Sequence, residues 1–212
     1  MSPLRIAAVA APLTLLAMGC LPDPAGDFEE YNTRTPVVDA GPVDSGPPGT
    51  AFTEAFQGEY FAICKTSISP TAKNALRFSV TTTYAPPGTA AGSLKLIFHP
   101  LTAKKTTFAA ADIVGSPIDL AQSAVDKEGV ANASTTATFD IPGIANPITG
   151  SAIKGQGLTI SAKVKAKEKF CADFSTKLIK PYTSDVVAEC LFLNLAEGAT
   201  IPEFTDEEVN CP

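Results

Sequence analysis

The chain has no tryptophan, one histidine and no excess of basic residues, and each absence narrows what it does. A catalytic triad or a zinc centre would have to be built around His99, and both need partners at fixed spacing. The surrounding "IFHP" supplies none, so His99 reads as a polar position at a strand end. The net charge of −6 argues against a nucleic-acid partner, whose modules carry a basic surplus. No Gly-rich phosphate loop follows a strand, and the cysteines form no C-x-x-C pair. Asp112, Asp119, Asp126, Asp140 and Asp173 are scattered, with no spacing that marks two as a catalytic pair. No residue set points to a metal or cofactor. The expectation is a protein that is not an enzyme.

Long helical patterns are missing too, whereas threonine, alanine, valine and isoleucine abound, which favours β-structure. Leu76, Phe78, Val80, Thr82 and Tyr84 alternate with Arg77, Ser79, Thr81 and Thr83, as a half-buried strand requires. Leu158, Ile160, Ala162, Val164 and Ala166 alternate with Thr159, Ser161, Lys163, Lys165 and Lys167. Ala137, Phe139 and Ile141 share one side of a weaker run, as do Phe170, Ala172, Phe174 and Leu178. Turn-forming stretches such as "APPGTAAG", "DKEG" and "KPYTSD" separate the runs. The pattern predicts about eight antiparallel strands, near 58–68, 76–84, 93–101, 112–125, 130–141, 153–166, 170–179 and 187–195. An all-β, up-and-down, lipocalin-like barrel is the expected fold, with a two-sheet sandwich as the alternative.

The amino terminus carries a different kind of signal. Arg5 precedes an uncharged run, Ile6 to Ala17, whose 12 residues are too few to span a bilayer. The run stops at Leu16-Ala17-Met18-Gly19-Cys20, which resembles the lipobox of bacterial lipoproteins. That resemblance implies removal of residues 1–19 as a signal peptide and acylation of Cys20. Leu21, in place of aspartate, implies outer-membrane localisation, on the periplasmic face or the cell surface. Three acyl chains would exceed the two-signal threshold for stable anchoring. Ordinary secretion is the rival, because Ala17-Met18-Gly19 also fits a small-x-small cleavage site. Cysteine arithmetic favours lipidation: setting Cys20 aside leaves Cys64, Cys171, Cys190 and Cys211, an even set that disulfides can consume.

From Leu21 to Thr50 the chain has six prolines, six acidic residues and one base, Arg34. Together with Cys20 this reads as a lipidated tether over 20–50, ahead of a single domain over 51–212 with an acidic tail. The segments "GEY", "VDKEG", "PGIANPITGS" and "KFCADF" resemble β-rich, calycin- or lipocalin-like ectodomains of outer-envelope lipoproteins. That resemblance implies a fold and no activity.

In an even up-and-down barrel the first and last strands are neighbours, which sets Cys64 opposite Cys190 and lets the tail bring Cys211 back to Cys171. The expected pairs are therefore Cys64–Cys190 and Cys171–Cys211, against two other pairings. Lys163, Lys165, Lys167 and Lys169, with Lys177 and Lys180, crowd one predicted hairpin, while Glu203, Asp206, Glu207 and Glu208 crowd the tail. The lysines read either as a solvated strand face or as a contact for anionic lipid or polysaccharide. The functional expectation is a structural or protein-interaction module anchored through Cys20, meeting an envelope protein. A carrier of a small apolar ligand is the alternative.

Overall fold

The computed structural model describes residues 50–211. The expected signal peptide over 1–19, Cys20 and the expected tether before Thr50 lie outside the described residues. Among the described residues there are nine strands: β1 (Phe56–Thr66), β2 (Leu76–Ala85), β3 (Gly92–Pro100), β4 (Ile118–Asp119), β5 (Ser123–Val125), β6 (Val130–Ile141), β7 (Ile153–Lys163), β8 (Lys169–Lys180) and β9 (Ser184–Leu193). β1 pairs with both β2 and β9, β2 pairs with β3, and β5 through β9 follow in chain order, every pair antiparallel. The sheet therefore closes on itself. Eight strands make a closed antiparallel barrel, and the two-residue β4 pairs only with β3.

The expected strand 112–125 is the one that departs most from its reading. Its first residue ends a 3-10 turn, Ala110–Asp112, Ile113 makes a lone bridge to Leu101, and only 118–119 and 123–125 form strands. Pro117 has no N–H to give to a ladder, which breaks the run where continuous pairing would begin. β4 and β5 both lie along β3, through Ile97↔Asp119 and Gly92↔Val125, so together they fill one position in the wall.

Alternation sends one set of side chains inward: Tyr60, Ala62 and Cys64 from β1, Phe78, Val80 and Tyr84 from β2, Leu94, Leu96 and Phe98 from β3. Two glycines adjust this pattern. Gly157, at φ +67°, sits where β7 slips by one residue against both neighbours, a backbone conformation that glycine adopts without steric cost. The slip turns Leu158 inward on one side and Gly155 inward on the other. A Cβ at Gly155 would lie 2.3 Å from the Phe139 ring, so the missing side chain makes room for that ring. The bulge also explains why Ala137, expected on the inner side, is exposed: Thr136 and Ala137 fall in the irregular stretch between Thr135 and Thr138.

A second apolar cluster lies outside the barrel. Phe61, Ile63 and Leu191 point outward from β1 and β9 yet are buried, covered by Leu101 and Phe108 and by Ile201 and Val209 of the tail. Cys64 faces Cys190 directly across the β1–β9 pair and is bonded to it, and Cys171 on β8 is bonded to Cys211. These are the two pairs expected from strand order.

Tyr60, 1% exposed, donates its hydroxyl to the Lys167 carbonyl at 2.5 Å. Burial, reinforced by the Glu168 charge, pushes its phenol up from 10.0 to about 12, against a smaller opposing effect of Asn194. A raised folded value means this contribution is complete below pH 10 and is lost as the pH climbs through about 12. Tyr60→Phe is expected to cost about 1 kcal/mol at neutral pH for the lost hydrogen bond, and to flatten the alkaline decline. Urea unfolding of both proteins across pH 8–12 measures it; equal alkaline slopes refute the assignment.

Candidate functional site

A lipocalin-like barrel would hold a ligand in its interior, so the interior is the first place to look. Here it is packed. Rings pass from Phe56 to Tyr60, Phe170, Phe192, Phe98 and Phe78 in a chain of contacts with centroids 4.4–5.9 Å apart. Phe56 also stacks on Tyr84 at 4.9 Å. The entering chain closes this end: Ala51 N–H donates to the Lys127 carbonyl at 2.8 Å, and the Tyr84 hydroxyl donates to the Phe52 carbonyl at 2.7 Å. Towards the opposite end one cavity of about 50 Å³ remains, lined by Leu76, Phe98, Ile118, Ile141, Ile160 and Leu178 among others. Ligand pockets run to roughly 300–1,000 Å³. This void is a packing gap at the scale of a few atoms.

The exterior carries the polar features. Residues 194–211 run back over the β1–β9 face as a strap. Phe204 stacks over Phe61 at 6.2 Å, and Val209 is fully buried. Lys65 donates to the Asp206 carbonyl at 2.5 Å and to the Asn210 side chain, and the Asp206 carboxylate accepts from the Ala72 N–H at 2.6 Å. Lys163, Lys165 and Lys169 then line a surface groove of about 460 Å³ with Glu207, Glu208 and Asn210. Hydrogen bonds from Thr205, and the nearby Lys169 charge, hold the Glu208 carboxyl below its ordinary value.

The structure thus gathers Lys163, Lys165, Lys167 and Lys169 around the β7–β8 turn and sets Lys177 and Lys180 at the far end of β8. Two of the gathered lysines, Lys165 and Lys167, have oxygen partners within the domain. Lys165 donates to the carbonyls of Glu128 and, at 3.3 Å, Thr50, and Lys167 lies 4.0 Å from the Glu54 carboxylate. Glu207 and Glu208 of the tail share the groove with Lys163, Lys165 and Lys169, a neighbourhood that a reading of the hairpin alone missed. Only the disulfide from Cys171 to Cys211 hinted that the tail returns this far.

His99 joins a polar cluster on the outer face of β1–β3. The Glu59 carboxylate accepts from the Ser79 hydroxyl at 2.8 Å and from the Thr81 hydroxyl at 2.5 Å, and His99 Nε2 lies 3.5 Å from Thr81 Oγ1. Both hydroxyls point their protons at the carboxylate, so neither is wired to the imidazole as a triad nucleophile would be. Strand register brings these residues together: Glu59 pairs with Thr81, and Ser79 pairs with His99. Three of the five scattered aspartates have local structural partners. Asp112 meets Lys105 at 2.8 Å, Asp119 meets Lys95, and Asp126 accepts from the N–H groups of Glu128 and Val130 in its own turn. Among the described residues no group of three His, Cys, Asp or Glu side chains is placed to hold a metal ion.

The chain matches no protein-family model, no curated protein and no solved structure. Its function is therefore argued from its own residues.

If the interior is a packed core, Ile160→Ala should cost about 3 kcal/mol and should create binding of a small apolar probe such as benzene. Denaturant unfolding and NMR titration read the two effects. Saturable binding of a long-chain fatty acid by the unaltered protein would refute the packed-core description.

Proposed function

We propose that this protein is a lipid-anchored cell-envelope lipoprotein whose β-barrel is a non-catalytic structural or protein-interaction module. The observation that carries this reading is the cysteine ledger. Cys64, Cys171, Cys190 and Cys211 are all consumed in two disulfides, which leaves Cys20 as the odd cysteine, placed where the apolar run ends at Leu16-Ala17-Met18-Gly19. Disulfides of this kind belong to oxidising compartments, and lipidation gives the remaining thiol a role. The packed interior supports a surface-acting module over a carrier, since a carrier needs several times the volume of the cavity present. Outer-membrane residence rests on Leu21 following the cysteine.

Cys20→Ala is expected to release the protein from the membrane fraction or to stall it with residues 1–19 uncut. Intact-mass spectrometry of the mature amino terminus checks it. An unmodified residue there, or cleavage at another bond, rejects the lipoprotein reading.

A further inference from the structure

The two disulfides differ in setting. Cys64 and Cys190 are 0% exposed inside the barrel, whereas Cys171 and Cys211 lie at the surface and are partly exposed. The second bond is also what closes the strap. Residues 198–201 are held to the loop beneath them: Gly198 N–H donates to the Phe108 carbonyl at 2.7 Å, and Ile201 N–H to the Thr106 carbonyl at 2.8 Å. Beyond Ile201 the strap rests on Phe204, Val209, the Asp206 and Asn210 contacts with Lys65 and Ala72, and the covalent link at Cys211. Residues 202–211 are thus the part that one bond fastens.

What they cover is a face of mixed character. Phe61, Leu191 and Leu193 supply apolar surface, Lys65 sits among them, and Lys163 and Lys169 stand at the side. The segment seated there, Pro202–Asn210, is complementary to it. It offers Phe204 and Val209 to the apolar part, Glu207 and Glu208 to the groove that Lys163 and Lys169 line, and the Asp206 carbonyl to Lys65. Its turn is preformed, with the Thr205 N–H donating to the Glu208 carboxylate at 2.7 Å and the Glu208 N–H to the Thr205 hydroxyl at 3.3 Å.

We propose that the strap is a built-in stand-in for an acidic, aromatic-containing peptide of a partner protein, and that Cys171–Cys211 is a thiol-reducible latch that keeps this docking face closed. A dithiol reductant attacks one sulfur of the accessible bond. The Sγ–Sγ bond breaks, its electron pair leaves with the second cysteine, and two protons complete the Cys171 and Cys211 thiols as the reductant closes to its own disulfide. Cys64–Cys190 is shielded from the same attack by the barrel wall. Once freed, residues 202–211 remain attached at Ile201 and compete with the incoming peptide at an effective concentration on the order of millimolar.

The test uses the full chain in three forms: oxidised, treated with dithiothreitol, and carrying Cys171→Ser with Cys211→Ser. Alkylation mapping should find Cys171 and Cys211 modified at dithiothreitol concentrations that leave Cys64–Cys190 intact. Hydrogen exchange in 202–211 should accelerate at least about tenfold on opening, while the barrel strands are unchanged. The probe is a labelled synthetic peptide, Pro202–Asn210, titrated into the millimolar range. It should bind the two open forms and not the oxidised form, weaken as salt rises through ~0.1–0.5 M, and fail to bind when it carries Phe204→Ala. Simultaneous opening of both disulfides overturns the latch. Unchanged protection of 202–211, or no peptide binding by the reduced protein, overturns the docking face. The treated natural chain keeps the test decisive if the double serine variant does not fold, and neither outcome depends on Cys20 acylation.

Discussion

From Tyr60 to Thr66 both faces of β1 are buried, and the rest of the structure is arranged around that constraint. Tyr60, Ala62 and Cys64 point into the barrel, while Phe61 and Ile63 point out and still reach 0% exposure. An antiparallel barrel strand ordinarily leaves its outer face to water. Leaving Phe61 and Ile63 in water would forfeit roughly 1.5–3 kcal/mol each, so an outer layer has to exist. The loop after β3 and the strap after β9 provide it, and both are anchored to one another through Thr107↔Thr200. β1 also completes the ring, because it is the strand that pairs with both the second and the last.

The two disulfides divide along the same line. Cys64–Cys190 joins neighbouring strands within the inner core and links parts of the chain 126 residues apart, a separation for which the chain-entropy model gives a large constraint on the unfolded chain. Cys171–Cys211 spans 40 residues and fastens the outer layer to the barrel wall. One secures the ring and the other secures its cover. The polar contacts follow suit: Lys65, 9% exposed on the outer face, finds acceptors only in the strap and, at 3.5 Å, in Glu189. A buried ammonium needs such partners, so the strap solves an electrostatic problem as well as an apolar one.

These features locate the chemically distinctive surface on the outside of the barrel. Rings fill the interior, and the void of about 50 Å³ beside them is too small for a ligand of ordinary size. The outside holds the lysine turn, the acidic strap and the Glu59–Ser79–Thr81–His99 cluster. A module that acts through its surface is consistent with that distribution.

Local pattern was enough for the all-β class, for most strand positions and, once strand order was assumed, for the cysteine pairs. Period-two alternation in 76–84 and 158–164 reports burial of one face directly, and the turn-rich stretches between runs leave few ways to connect them. Barrel and sandwich share that alternation, so the β1–β9 pairing, which joins distant parts of the chain and closes the ring, decided between them. The same is true of "YFAIC" in β1, where a continuous apolar run gives no hint of two separate cores. Ala137 was misplaced because a bulge opposite Gly157 breaks the alternation, and the pairing that creates it lies between strands. Lysine clustering around the β7–β8 turn was visible in the sequence, but its acidic neighbours arrive from the carboxyl terminus. Which charges meet was decided by where the strap lies, because charge complementarity acts through space and not along the chain.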